Sequence, residues 1–179
     1  MTPTPVFQRM RQDPRRVLAE MARLEASAAP ARRGPRGRLL STVALREVLR
    51  MLERQFATHM KAEDDVIFPA LMETLPQARG SILPLSLEHT ELRSMLLGLF
   101  NLLDAEHGST RDEQLEVQIR DFSDLLRIHI RKEEAVVFSV AERVLRPEEI
   151  EIIAGRLAAN ETHEAGARSP RPRPKGKRS

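Results

Sequence analysis

Apolar residues recur at alternating steps of three and four along almost the whole chain, and a stripe of that period can be buried only by a helix. No segment alternates with the two-residue period of a strand, and no repeat of solenoid length is present. Leu, Ala, Met, Glu and Arg dominate, which is a helix-former's composition. The chain has 179 residues, 41% of them hydrophobic, enough for one domain with a real core.

Start and stop signals divide the stripes into helices. Asp13 as a cap and Pro14 at the first helical position open a helix over about Asp13 to Ala28. The basic run APARRGPRGR, 29–38, reads as a loop. A long second helix starts near Ser41 and is expected to bend or stop around Pro69. TLPQARGS, 74–81, reads as a loop, and a third helix spans about Ser81 to Glu106, closed by His107-Gly108 as a glycine cap. Thr110 to Glu113 forms a capping-box pattern and opens a fourth helix that ends near Leu145. Pro147 starts a short fifth helix that fades by Asn160. The expected fold is all-α: an up-down-up-down four-helix bundle with a short fifth helix over 1–160, then a disordered basic tail over 161–179.

Five polar residues stand where this pattern calls for leucine. On the second helix Leu45, Leu49, Leu52, Phe56, His59, Glu63, Val66 and Ala70 share one face. On the fourth, Leu115, Ile119, Phe122, Leu126, His129, Glu133, Val136 and Val140 do the same. On the third, His89 lies on the stripe of Ile82, Leu85, Leu92, Leu96, Leu99 and Leu103. Burying a carboxylate is strongly unfavourable unless a cation accompanies it, and neither stripe carries Lys or Arg. Imidazole and carboxylate together suit iron, manganese or zinc, and bundles build two-metal sites from inward-pointing Glu and His. A buried network of imidazole hydrogen-bonded to carboxylate is the alternative.

Other features narrow the function. The chain has no Cys, which excludes disulfides, thiolate metal sites and cysteine nucleophiles and agrees with a reducing, cytoplasmic setting. With no Tyr, Trp or Cys it lacks the usual protein radical carriers. No apolar stretch is long enough to span a membrane, and the N-terminus lacks the apolar core of a signal peptide. No glycine-rich phosphate loop and no Ser/His/Asp order stands out. Residues 166–179 are basic with no acid, a solubilising tail or a contact for nucleic acid or an acidic partner. His107, at a helix end, is expected to be exposed; His163 carries no pattern; Asp64, Asp65 and Glu134, beside the ligand candidates, are expected to be solvated, with hydrogen-bond acceptors behind the ligands as the alternative.

The runs HMKAEDDVIFP, 59–69, and HIRKEEAVVF, 129–138, resemble the two His-x-x-x-Glu signatures of the hemerythrin-like, or HHE cation-binding, family. LEHTELRSML resembles that family's third-helix segment and QDPRRVLAEMARLEA its first helix, so the resemblance covers about 10–158. It implies a di-iron centre in a four-helix bundle that binds or senses oxygen, nitric oxide or iron, or handles peroxide. It also implies His59, His89 and His129 as terminal ligands and Glu63 and Glu133 as bridging carboxylates. Two positions depart from the family pattern. Pro14 stands where the first-helix His is expected, and Arg93 where oxygen carriers often have a further His. The resemblance thus leaves three outcomes: two irons with an extra water, one iron, or a vestigial site in a regulatory interaction protein. Binding or sensing is expected over enzymatic turnover, with a small peroxide or nitric oxide oxidoreductase as the enzymatic alternative.

Overall fold

The computed structural model describes residues 8, 10, 16–23, 25, 35–106 and 108–167, with side chains of the last two stretches described over 42–106 and 108–159. All regular structure among these residues is helical. Residues 16–23 form α1; Asp13, Pro14 and His107 lie outside the described residues. α2 runs Pro35–Gln55 and passes into π-helical turns at Phe56–Met60 and Glu63–Ile67, followed by α3 at Phe68–Thr74. A 3-10 turn at Pro76–Ala78 leads into α4, Arg79–Asp104. α5 is Ser109–Glu133, followed by a π-helical turn at Glu134–Phe138, α6 at Ser139–Val144 and α7 at Pro147–Ala167.

Several boundaries differ from expectation for identifiable reasons. α2 starts at Pro35, inside the expected loop, because proline's fixed φ and missing N–H suit the first helical turn. The helix is not stopped by Pro69. In the π turn ahead of it the N–H of Phe68 reaches back five residues to the carbonyl of Glu63, and Pro69 falls in the first turn of α3, where no donor is needed. α4 ends at Asp104, before Gly108, which instead precedes α5 in extended conformation. The expected capping box does not form: the N-cap is Gly108, which has no side chain to bond the first turn, and Thr110 lies inside the helix. α7 is not short: it equals α2 in length and continues past Asn160 to Ala167, into the expected tail. The tail from 168 onward lies outside the described residues.

Arg111 closes α4 in place of a glycine cap. Its Nε donates to the carbonyl of Leu102 at 2.7 Å and its Nη2 to that of Leu103 at 3.2 Å, with the side chain buried. A guanidinium at a helix C-terminus satisfies orphan carbonyls and opposes the helix dipole. Arg111→Ala is expected to destabilise the protein by about 1–2 kcal/mol in urea denaturation; an unchanged midpoint would refute this role.

α4 packs along α5 and against α2, and α7 packs against the Glu63–Ile67 turn. The apolar core falls into two clusters. One holds Leu49, Leu52, Phe56, Leu92, Leu99, Ile119, Phe122 and Leu126 with Val17 and Met21 of α1. The other holds Ile67, Phe68, Leu71, Ile82, Leu85, Val137 and Phe138 with Ile153 and Leu157 of α7. In the sequence of each long helix, the His and Glu candidates lie between members of the first cluster and members of the second. No helix among the described residues is long and apolar enough to cross a membrane.

Candidate metal centre

The structure brings all five expected ligand candidates together. Glu63, His89, His129 and Glu133 are buried, and the His59 side chain is 10% exposed. Glu63 Oε1 lies 3.5 Å from His59 Nε2, and Glu63 Oε2 lies 3.4 Å from His89 Nε2. Glu133 Oε1 lies 3.4 Å from His59 Nε2, and Glu133 Oε2 lies 4.0 Å from His129 Nε2. His89 Nε2 and His129 Nε2 face each other at 3.1 Å. Two donor sets result: His59 with Glu63 and Glu133, and His89 with His129 and Glu63. Glu63 belongs to both.

Local backbone helps to aim these groups. Each His-x-x-x-Glu run is flanked or overlapped by π-helical turns, at Phe56–Met60 and Glu63–Ile67 after α2 and at Glu134–Phe138 after α5. Such a turn holds one residue more than an α-helical turn and so shifts the phase of the buried face; these insertions concentrate at functional sites. Phe68 stacks on the His89 ring at 5.4 Å between centroids and 18° between planes.

Electrostatics identifies what the layer needs. Both oxygens of Glu63 and Oε1 of Glu133 are buried and have no hydrogen-bond partner among the described residues. Burial, reinforced by the charge of Glu133, pushes the Glu63 carboxyl up to about 8. Burial also raises Glu133, but the neighbouring Glu63 and His59 more than offset this and hold it down to about 2. Without a cation, Glu63 therefore keeps its proton at neutral pH while Glu133 is ionised.

Carboxylates behind the imidazoles set their tautomers. His89 Nδ1 faces Asp64 Oδ1 at 2.8 Å, and Asp64 also accepts from Ser86 Oγ at 3.1 Å and from Arg93 Nη2 at 3.0 Å. His129 Nδ1 faces Glu88 Oε2 at 3.0 Å, and Lys132 Nζ bonds to the other Glu88 oxygen. Burial raises Asp64 and Glu88, but His89 and Arg93 around the first and Lys132 and His129 around the second hold both below the usual carboxylate range. An ionised carboxylate takes an N–H from Nδ1, so each Nε2 presents a lone pair to the centre. Two lone pairs 3.1 Å apart repel unless a proton or a metal ion lies between them. The two imidazoles are pushed in opposite directions: burial lowers His89, but Asp64 and Glu63 outweigh it and raise its pKa, whereas burial and the charge on His89 lower His129.

The residues fit a metal ion. Two donors each about 2.1 Å from a common ion at tetrahedral or octahedral angles are about 3.0–3.4 Å apart. The contacts of 3.1, 3.4, 3.4 and 3.5 Å match that spacing, and the three that involve carboxylates are too long or poorly aimed to satisfy them by hydrogen bonding. The family model of the hemerythrin HHE cation binding domain matches residues 6–141. The chain belongs to the hemerythrin HHE family. No curated protein matches it. In this hemerythrin-family chain Arg93 contributes to the site indirectly, through Asp64, from the position where a further His was expected.

Sequence reasoning missed one member of the site and gave the weaker reading of another the preference. Asp64, expected to be solvated, supports His89; Asp65 pairs with Lys61 and Glu134 is exposed, as expected of solvated groups. Glu88 was not singled out at all. Its only sequence signal is adjacency to His89, yet it serves His129 on the facing helix, a relation that helical spacing within one element cannot reveal.

Proposed function

We propose that this chain holds a pair of metal ions, iron by its resemblance to the hemerythrin family, inside an up-down-up-down four-helix bundle made by the first helix with α2, α4 and α5. His59, His89 and His129 are the terminal nitrogen ligands and Glu63 and Glu133 the bridging carboxylates. The role is binding or sensing a small diatomic ligand such as oxygen or nitric oxide, or iron itself, rather than turnover. One observation carries the reading. The two oxygens of Glu63 are buried without a hydrogen bond, and each lies against the imidazole of a different donor set. A bidentate carboxylate in that position is explained by two cations and by little else.

Bound there, iron would supply a Lewis-acidic, redox-active centre. The chain's own residues provide the rest. A cavity beside His59, His129 and Glu133 is walled by Val17, Phe56, Met60, Leu126 and Ile130, with ≈ 20 Å³ open to a water-sized sphere. That is room for about one water or a diatomic molecule. The apolar walls limit the water that can compete for the space, and Gln55 is the uncharged polar side chain on the lining.

Elemental analysis after anaerobic purification tests the proposal. About two irons per chain, with the near-ultraviolet absorption of a bridged iron pair after exposure to air, are expected. Protein from iron-replete cells that carries no metal and takes up none from added ferrous iron would end this reading.

A further inference from the structure

The two donor sets are not equivalent. Glu63 contributes one oxygen to each, so it favours neither. The remaining donors differ. One set has two imidazoles, His89 and His129, already 3.1 Å apart. The other has one, His59, together with Oε1 of Glu133. Glu133 leans the other way, its oxygen being 3.4 Å from His59 but 4.0 Å from His129. For later first-row divalent ions a second imidazole outweighs an added carboxylate oxygen, whereas hard ions such as Mn²⁺ narrow the difference.

Both imidazoles of the first set are backed by carboxylates. His89 is clamped between the Phe68 ring and Asp64, which Arg93 and Ser86 hold in turn. His129 is held by Glu88, itself tied to Lys132. Carboxylates behind ligating imidazoles fix the ring and raise its basicity. Access differs as well. His59 and His129 both line the cavity, but the side chains of His89 and His129 are 0% and 2% exposed against 10% for His59.

Resting on the two-ion reading above, we infer that the sites are unequal in strength: His89 and His129 keep a resident ion, and His59 holds an exchangeable one at the cavity. Asp64 and Glu88 are positioning residues for the resident ion. The exchangeable position is the one at which the chain would respond to metal supply.

The full-length chain loaded with Co²⁺ and challenged with increasing nitrilotriacetate tests this, with visible absorption and elemental analysis as readouts. Bound metal should fall to a plateau at about one ion per chain, the second leaving only at roughly tenfold or more higher chelator. His59→Gln should abolish the early-leaving ion and keep the plateau ion; His129→Gln should do the reverse. Asp64→Asn should weaken the retained ion by roughly 10–100-fold and alter its ligand-field spectrum, without changing release of the first ion. Should an imidazole variant lose its helical circular dichroism, withdrawal from the unaltered chain and from Asp64→Asn still decides. Joint release of both ions, or loss of the retained ion in His59→Gln, would overturn the inequality and leave the two-ion reading intact. A chain that takes up no Co²⁺ at all would overturn both.

Discussion

Glu63→Leu is expected to make the metal-free protein more stable by about 1–3 kcal/mol, the cost of a buried carboxyl without a hydrogen bond, while abolishing metal binding at both positions. The two effects have opposite sign because they have one source. Glu63 is fully buried, both its oxygens lack hydrogen-bond partners, and it faces a second buried carboxylate. Leucine at the same place removes that desolvation cost and continues the stripe of Phe56 and Val66. The same replacement takes an oxygen from each donor set, so neither ion keeps its full complement. Urea denaturation in chelator, with metal analysis of both proteins, measures the pair of effects. If Glu63→Leu instead loses stability without metal, Glu63 is a satisfied core residue and the electrostatic case for the cation fails.

Metal-free and metal-loaded protein should respond to pH in opposite directions between pH 4.5 and about 8. In the metal-free chain Glu63 titrates at about 8 when folded, against 4.5 as the reference value, so between these limits the folded state holds the extra proton. Stability from this group is complete below pH 4.5 and is lost as pH rises toward 8, at about 1.4 kcal/mol per unit, for a total on the order of a few kcal/mol. His89, also raised, adds a loss of the same sign as pH climbs above 6.5. His129 is lowered and opposes it below 6.5, where its unfolded form takes the proton. Glu133, held at about 2, is ionised in both states across the window; it matters only below 4.5, where its contribution fades as pH falls toward 2. In the loaded protein, protons and metal compete for the same carboxylate and imidazole, so stability rises with pH and uptake at neutral pH releases protons. Denaturation midpoints at pH 5 and 8, with and without chelator, give the two slopes. Parallel slopes would contradict the proton assignment at Glu63.

Much of this centre was legible in the sequence because a helix has one period and a buried carboxylate has few excuses. His59, Glu63, His89, His129 and Glu133 are recognisable as intruders on apolar stripes, and the structure gathers all five. What sequence periodicity could not show lies between helices or depends on altered helical pitch. Glu88 reaches His129 across a helix interface, and Asp64 reaches His89 in the same way. The π turns allow the second helix to continue past Pro69, where a regular α-helix would be obstructed. Local signals also misled where tertiary contacts took over. The capping box at Thr110 is idle, and Arg111 within it closes the preceding helix instead.

The division of the apolar interior has a consequence for how this protein tolerates change. The cluster around Phe122 and the cluster around Phe138 share no member. A substitution within one cluster is therefore felt first by its own members, and by the other cluster through the helices they share. Whatever cooperativity the two halves possess passes along the helix backbones and through a handful of His and Glu side chains. The same few residues that confer chemistry would then also decide whether the molecule melts as one piece or as two.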